Sequence, residues 1–210
     1  YENIIFEDHD TPTCSIYVDK NGERTIISSG YNFCKWNNLK EVKNFDSLIV
    51  DRYSIPFIRQ DLEKISNDVF ITQAGYQEEI TYKINFLVVS KDEIDVIEAN
   101  RLINEEYVDW ILLTSSNLPA RLISKDGVLE ITPPDFKTIN STGAGDATAA
   151  YIGAYGVDNL IENVKGACAS GAIVAGTNKL PTLEKIKEVS ELIEIKPRWE
   201  FYNFNTLGLK

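Results

Sequence analysis

With 210 residues, 43% of them hydrophobic and 25% charged, the chain can build the core of one moderate domain, and no apolar run is long enough to cross a bilayer. The formal net charge of −11 is not offset by any cluster of Lys and Arg, which argues against duplex nucleic acid and anionic membranes as partners. Cys14, Cys34 and Cys168 are odd in number and have no CxxC spacing, which argues against a disulfide framework or a zinc site.

A reduced, cytoplasmic setting fits these cysteines. The first residues, YENIIFEDHDTP, lack the basic-then-apolar plan of a signal peptide. His9 is the only histidine and no GxSxG elbow exists, so a Ser-His-Asp mechanism would need His9 itself. The absence of any Met leads us to expect that the full protein is longer than these residues.

In chain order, residues 15–28 read as two short strands around Asn21-Gly22, a strong hairpin signal because both residues tolerate positive φ. The alternation there is half-polar, which predicts a small lid over about 14–30 that projects from the main sheet. Next come a strand at 45–51, a helix at 55–66, and strands at 68–72 and 84–90. Residues 91–107 have helical spacing, with Ile94, Ile97, Leu102 and Ile103 on the apolar side. A continuous apolar strand follows at 108–115, then a hairpin over 120–131 turning at Asp126-Gly127. Helices are predicted at about 143–155, 160–176 and 182–194, and the aromatic tail reads as a docked terminal segment. Strands alternating with helices predict an α/β fold, a mostly parallel sheet with helices on both faces, as a single domain over 1–210.

The stretch INSTGAGDATAAY, residues 139–151, carries the chemistry. A helix beginning within Gly143-Ala144-Gly145-Asp146 would expose unpaired N–H groups and a partial positive charge. Small residues let an anion approach the backbone, so the start of this helix suits a phosphate-sized group. Asp146, in the first turn, would face that group and could take a proton from an attacking hydroxyl, which suggests phosphoryl transfer to an alcohol. The loop is neither a Walker A, since no Lys follows the glycines, nor a dinucleotide GxGxxG. Taken alone, so short a motif reads first as a helix start with a dipole-matched carboxylate.

TINSTGAGDATAAYIGAY resembles the C-terminal signature of the ribokinase, or phosphofructokinase-B (pfkB), family of carbohydrate kinases, with Asn140-Ser141 in place of the usual Asp-Thr. CSIYVDKNGERTIISSGYN is similar to the family's lid-side segment, VVSKDE to its Asn-x-x-Glu segment, WILLTSSNLPARLISKDG to its Thr-x-Gly-x-x-Gly hairpin, and KGACASGAIVAGTNKLPT to the helix and loop beside the adenine. The resemblance covers roughly 11–195.

It implies a ribokinase-like fold and an ATP-dependent kinase acting on a primary hydroxyl of a sugar. A nucleoside kinase, or a non-catalytic binding or scaffold relative, is the alternative. Asp146 would be the catalytic base, and Gly143, Ala144 and Gly145 the anion hole. Glu93 would orient Mg²⁺ through water. Thr114, Asn140 and Cys168 would lie on the ATP side. K⁺ is a further cation raised by the resemblance, because Asn140 stands where some members have an aspartate that helps order a monovalent-cation loop. A homodimer formed through the lid is also implied, with Ile16, Val18, Ile26 and Ile27 wanting a cover. Two departures stand out: the family's N-terminal sugar-binding motifs are missing, and residues 115–119 lack the usual glycines.

Overall fold

The computed structural model describes residues 10–18, 24–30, 45–76, 80–115, 118–134 and 136–198. The chain divides into two compact units, residues 1–44 and 45–210. In the first, β1 (Thr13–Val18) and β2 (Arg24–Ser29) pair antiparallel, with Ile16 opposite Ile26 and Ser15 opposite Ile27. These are the two strands expected of the hairpin; its Asn21-Gly22 turn lies outside the described residues. Ile16, Tyr17, Ile26 and Ile27 are all exposed in the single chain.

The second unit is a seven-stranded sheet whose spatial order follows the chain. β3 (Ser47–Asp51), β4 (Phe70–Ala74), β5 (Ile84–Ser90) and β6 (Val108–Thr114) run parallel. β7 (Ala120–Ser124), β8 (Gly127–Thr132) and β9 (Glu194–Pro197) continue the sheet antiparallel. The helices are α1 (Ile55–Ile65), α2 (Val96–Asn104), α3 (Ala144–Tyr155), α4 (Leu160–Thr177) and α5 (Leu183–Ser190). Among the described residues, no helix is long and apolar enough to cross a membrane.

The continuous apolar runs of β5 and β6 are explained by burial on both sides. Phe86, Val88 and Leu112 join a cluster with Ala149 and Ile152 of α3, Val164, Ala167 and Ile173 of α4, and Ile186 and Val189 of α5. Their strand neighbours Leu87, Val89, Ile111 and Leu113 are equally buried but point to the opposite face, because successive side chains in a strand alternate. There α2 packs on β6 and β7. A parallel sheet buried in this way needs no polar alternation.

Several boundaries differ from the sequence reading. Residues 68 and 69 donate their amides to Ile65 O and so close α1, which moves β4 to 70–74. β4 also carries Gln73, fully buried and satisfied by the Tyr82 hydroxyl (2.7 Å) and the Gly75 carbonyl (2.9 Å), a polar residue that hid the end of the strand. The helix expected over 91–107 starts only at Val96, capped by Asp95, whose Oδ1 accepts from the Glu98 amide at 2.8 Å. Ile94 is buried ahead of it, whereas Ile97 is exposed; the core face of α2 is Ala99, Leu102 and Ile103. The second hairpin turns at Lys125-Asp126, because Ser124 pairs with Gly127, which already belongs to β8. The last helix stops at Ser190, and Glu194–Pro197 becomes an edge strand against β8. Its charged Glu-Ile-Lys pattern suits an edge but can be read as continuing helix.

One buried group stands out. Thr72 is fully buried in β4, and among the described residues its hydroxyl has no hydrogen-bond partner. A stranded hydroxyl carries a desolvation cost of about 1–3 kcal/mol. Thr72→Val keeps the shape and removes that cost, so chemical denaturation should show a gain of about 1 kcal/mol. A loss of that size would mean that the hydroxyl is satisfied in solution.

Candidate active site

The site begins with Gly143. It precedes α3 with φ +81° and ψ −4°, a left-handed conformation that costs glycine little and other residues more. The loop that delivers the chain there is tied to α4: the amides of Ile139 and Asn140 both donate to Ala175 O, at 2.8 and 3.0 Å. Asn140 folds back in an Asx turn, its Oδ1 accepting from the Thr142 amide at 3.0 Å, while its Nδ2 donates to Asn178 Oδ1 at 3.3 Å. This side chain holds the loop before α3 to the C-terminal end of α4.

Gly171 brings α4 against the first turn of α3. A Cβ there would stand 2.4 Å from Thr148 Oγ1 and 3.0 Å from Ala144 O, so no larger residue fits without displacement. At the helix start, the Ala144 amide donates to Ser141 O at 3.2 Å and the Ala147 amide to Gly143 O at 2.9 Å. The amides of Gly143 and Gly145 have no partner among the described residues, as expected in a first helical turn. A Cβ on Gly145 would meet nothing within 4 Å, so the side-chain position there faces open space. Asp146 is the third residue of α3, exposed, and in no ion pair or hydrogen bond among the described residues. Of the three expected anion-hole amides, two are therefore unpaired among the described residues and Ala144's is weakly engaged.

The helix direction places this start relative to the sheet. Ser47, the first residue of β3, donates its hydroxyl to Gly153 O at 2.6 Å. Gly153 lies ten residues beyond Gly143, about 15 Å along the axis. α3 thus runs against the parallel strands, and its N-terminus lies toward their carboxyl ends, where α/β sheets place ligands.

Glu93 lies at those carboxyl ends, in the turn between β5 and α2. Ser90-Lys91-Asp92-Glu93 forms a reciprocal pair: the Glu93 amide donates to Ser90 O and the Ser90 amide to Glu93 Oε2, both at 3.0 Å. Ser-x-x-Glu is a capping-box spacing, and it explains why this turn stands apart from α2. Oε1 accepts from Arg52 Nη1 at 2.5 Å and, more weakly, from the Tyr76 amide at 3.4 Å. Arg52 follows β3 directly. Its amide bonds to Ala74 O, its Nη2 donates to the Tyr53 hydroxyl at 2.9 Å, and its guanidinium lies 4.9 Å from the Tyr53 ring centre. The Tyr53 bond and the nearby Glu93 charge hold the guanidinium protonated, its pKa raised. Sequence reasoning missed Arg52, 41 residues from Glu93; the capping pattern around Glu93 was the available signal.

Among the described residues, no group of three or more acidic, His or Cys side chains could hold a metal. One half-buried carboxylate is nevertheless a fitting donor for Mg²⁺, which keeps several waters and takes few protein oxygens together with phosphates. Three hydrogen bonds already fall on Glu93 oxygens that offer about four acceptor positions.

Thr114 ends β6 opposite Ser90 and so lies beside the Glu93 turn. Its hydroxyl donates to Val89 O at 3.2 Å and its carbonyl accepts from the Lys91 amide at 2.9 Å. Cys168 is half-buried within α4 and packs against the core cluster, where desolvation pushes its thiol up to about 12. The thiol is therefore neutral at physiological pH. The structure brings Asp146, Gly143, Ala144, Gly145 and Asn140 into one loop-helix start, and Glu93 and Thr114 into one strand-end turn.

A family model described as pfkB family carbohydrate kinase matches residues 3–182. No curated protein matches the chain in a sequence comparison. Among solved structures, ribokinase from Thermotoga maritima is 18% identical with a TM-score of 0.62, over 86% of this chain and 70% of its own. The nucleoside kinase of Methanocaldococcus jannaschii, an archaeal member of the ribokinase family, is 24% identical with a TM-score of 0.61, over 88% and 69%. A Staphylococcus aureus protein provisionally called a phosphofructokinase is 20% identical with a TM-score of 0.57, over 65% and 51%, so the chain spans about half the length of that relative. At these identities the structures establish the ribokinase-like α/β fold. The family match covers most of the chain, and the protein belongs to the pfkB family of carbohydrate kinases.

Proposed function

We propose that this protein transfers the γ-phosphoryl group of ATP to a primary hydroxyl of a sugar. The observation that carries this is Asp146 in the first turn of α3, exposed and unpaired among the described residues, beside the amides of Gly143 and Gly145, which are likewise unpaired there. Asp146 takes the hydroxyl proton as the oxygen bonds to the γ-phosphorus and the bond to the β–γ bridging oxygen breaks, releasing ADP. The helix start receives the charge on the transferred group. Mg²⁺, when bound, would neutralise phosphate charge, and Glu93 is the carboxylate placed to hold its water shell. Thr114 and Asn140 then serve the ATP side mainly through the backbone they fix.

ADP release over a panel of sugars and nucleosides, with and without K⁺, tests the reading. Sugar-dependent release supports it. Release with nucleosides alone transfers the mechanism to a nucleoside kinase, as the Methanocaldococcus protein is named. Nucleotide binding without release on any acceptor would indicate a non-catalytic relative.

The hairpin carries the proposed self-association. A lone two-stranded hairpin is marginal in water, and Ile16, Ile26 and Ile27 stand exposed on it. We expect two chains to pair through these strands. Light scattering should give a dimer mass that falls to the monomer in Ile26→Lys; a wild-type monomer at working concentration overturns the pairing.

A further inference from the structure

Three strand ends converge on one ion pair. Arg52 follows β3, Gly75 follows β4, and Glu93 closes the turn after β5. The Gly75 amide reaches across to Val88 O at 2.8 Å, and Gly75 itself has φ +79°. A Cβ at that position would stand 3.1 Å from both Arg52 Cδ and Glu93 Oε1, so a larger residue here would press on both partners of the pair. The pair is not sealed in the interior: the side chains of Arg52 and Glu93 are 38% and 23% exposed. A cation arriving from solvent can reach the same carboxylate that Arg52 holds.

We infer that Arg52 is an internal competitor of the divalent cation for Glu93, setting how much Mg²⁺ the protein needs. The inference rests on Glu93 serving the metal. Arg52 occupies one Oε1 lone pair and places a unit positive charge beside the carboxylate. Both effects oppose a second cation there. The Ser90 amide on Oε2 and the Tyr76 amide on Oε1 would keep Glu93 oriented when Arg52 lets go. Nη2 keeps the Tyr53 hydroxyl as a resting partner for the released guanidinium.

The test is a Mn²⁺ titration, followed by the electron paramagnetic resonance of free Mn²⁺, on protein saturated with a non-hydrolysable ATP analogue. Arg52→Gln should bind Mn²⁺ roughly three- to tenfold more tightly, the size of a unit-charge interaction across several ångströms of solvent-like surroundings. Arg52→Lys keeps the charge and should stay within about twofold of the native protein. Glu93→Gln should weaken binding, alone and combined with Arg52→Gln. A purely structural ion pair would lower the thermal midpoint in Arg52→Gln without tightening Mn²⁺, and that result overturns the inference while leaving the Glu93 reading intact. Unchanged Mn²⁺ binding in Glu93→Gln would remove both.

Discussion

Asp146→Asn should lower turnover by about 10²- to 10⁴-fold, the contribution of a positioned general base. The substitution keeps the size of the side chain and removes its basicity. Asp146 is exposed and unpaired among the described residues, so no structural partner is lost with the charge. The remaining cost is the interaction of its carboxylate with the helix start, below about 1 kcal/mol for an exposed site. Asn is well tolerated near a helix N-terminus. Affinity for ATP should change little, because Gly143 and Gly145 still offer their amides. Turnover within about threefold of the native protein would reduce Asp146 to a dipole-matched helix residue.

Glu93→Gln should raise the Mg²⁺ concentration for half-maximal activity and lower turnover by about 10- to 100-fold, the range for a group acting on a metal through its outer shell. The fold should survive. Gln can still accept from the Ser90 amide, as Glu or Gln does in a capping box. The lost ion pair with Arg52 is half-exposed and contributes about 1 kcal/mol or less. A Mg²⁺ titration of activity that superimposes on the native one would confine Glu93 to holding the turn.

The parallel core was legible because β5 and β6 carry unbroken apolar stretches, Phe86 to Val89 and Trp110 to Leu113, and INFLVVS falls on β5 without adjustment. Polar residues used inside the protein hid other elements. Gln73 concealed the end of β4, and Asp95, a cap, read as one more surface residue of a longer helix. β9 is four residues long with alternating charge, too short for its period to compete with the helix before it. At the site, Gly143 to Asp146 could be read locally because a helix start is a local structure. Its direction against the sheet could not, since that depends on Ser47 meeting Gly153. Arg52 and Glu93 meet only once β3, β4 and β5 are in register, and Asn140 takes its place only when α4 is beside it.

The most direct measurement of the central claim is transfer of label from γ-³²P-ATP to an acceptor, with the labelled product identified by mass spectrometry after fragmentation. The account predicts a sugar phosphoester on a primary hydroxyl, formed only with a divalent cation and nearly lost in Asp146→Asn. Labelled product formed equally well by Asp146→Asn, or no labelled acceptor from protein that binds ATP, would contradict it.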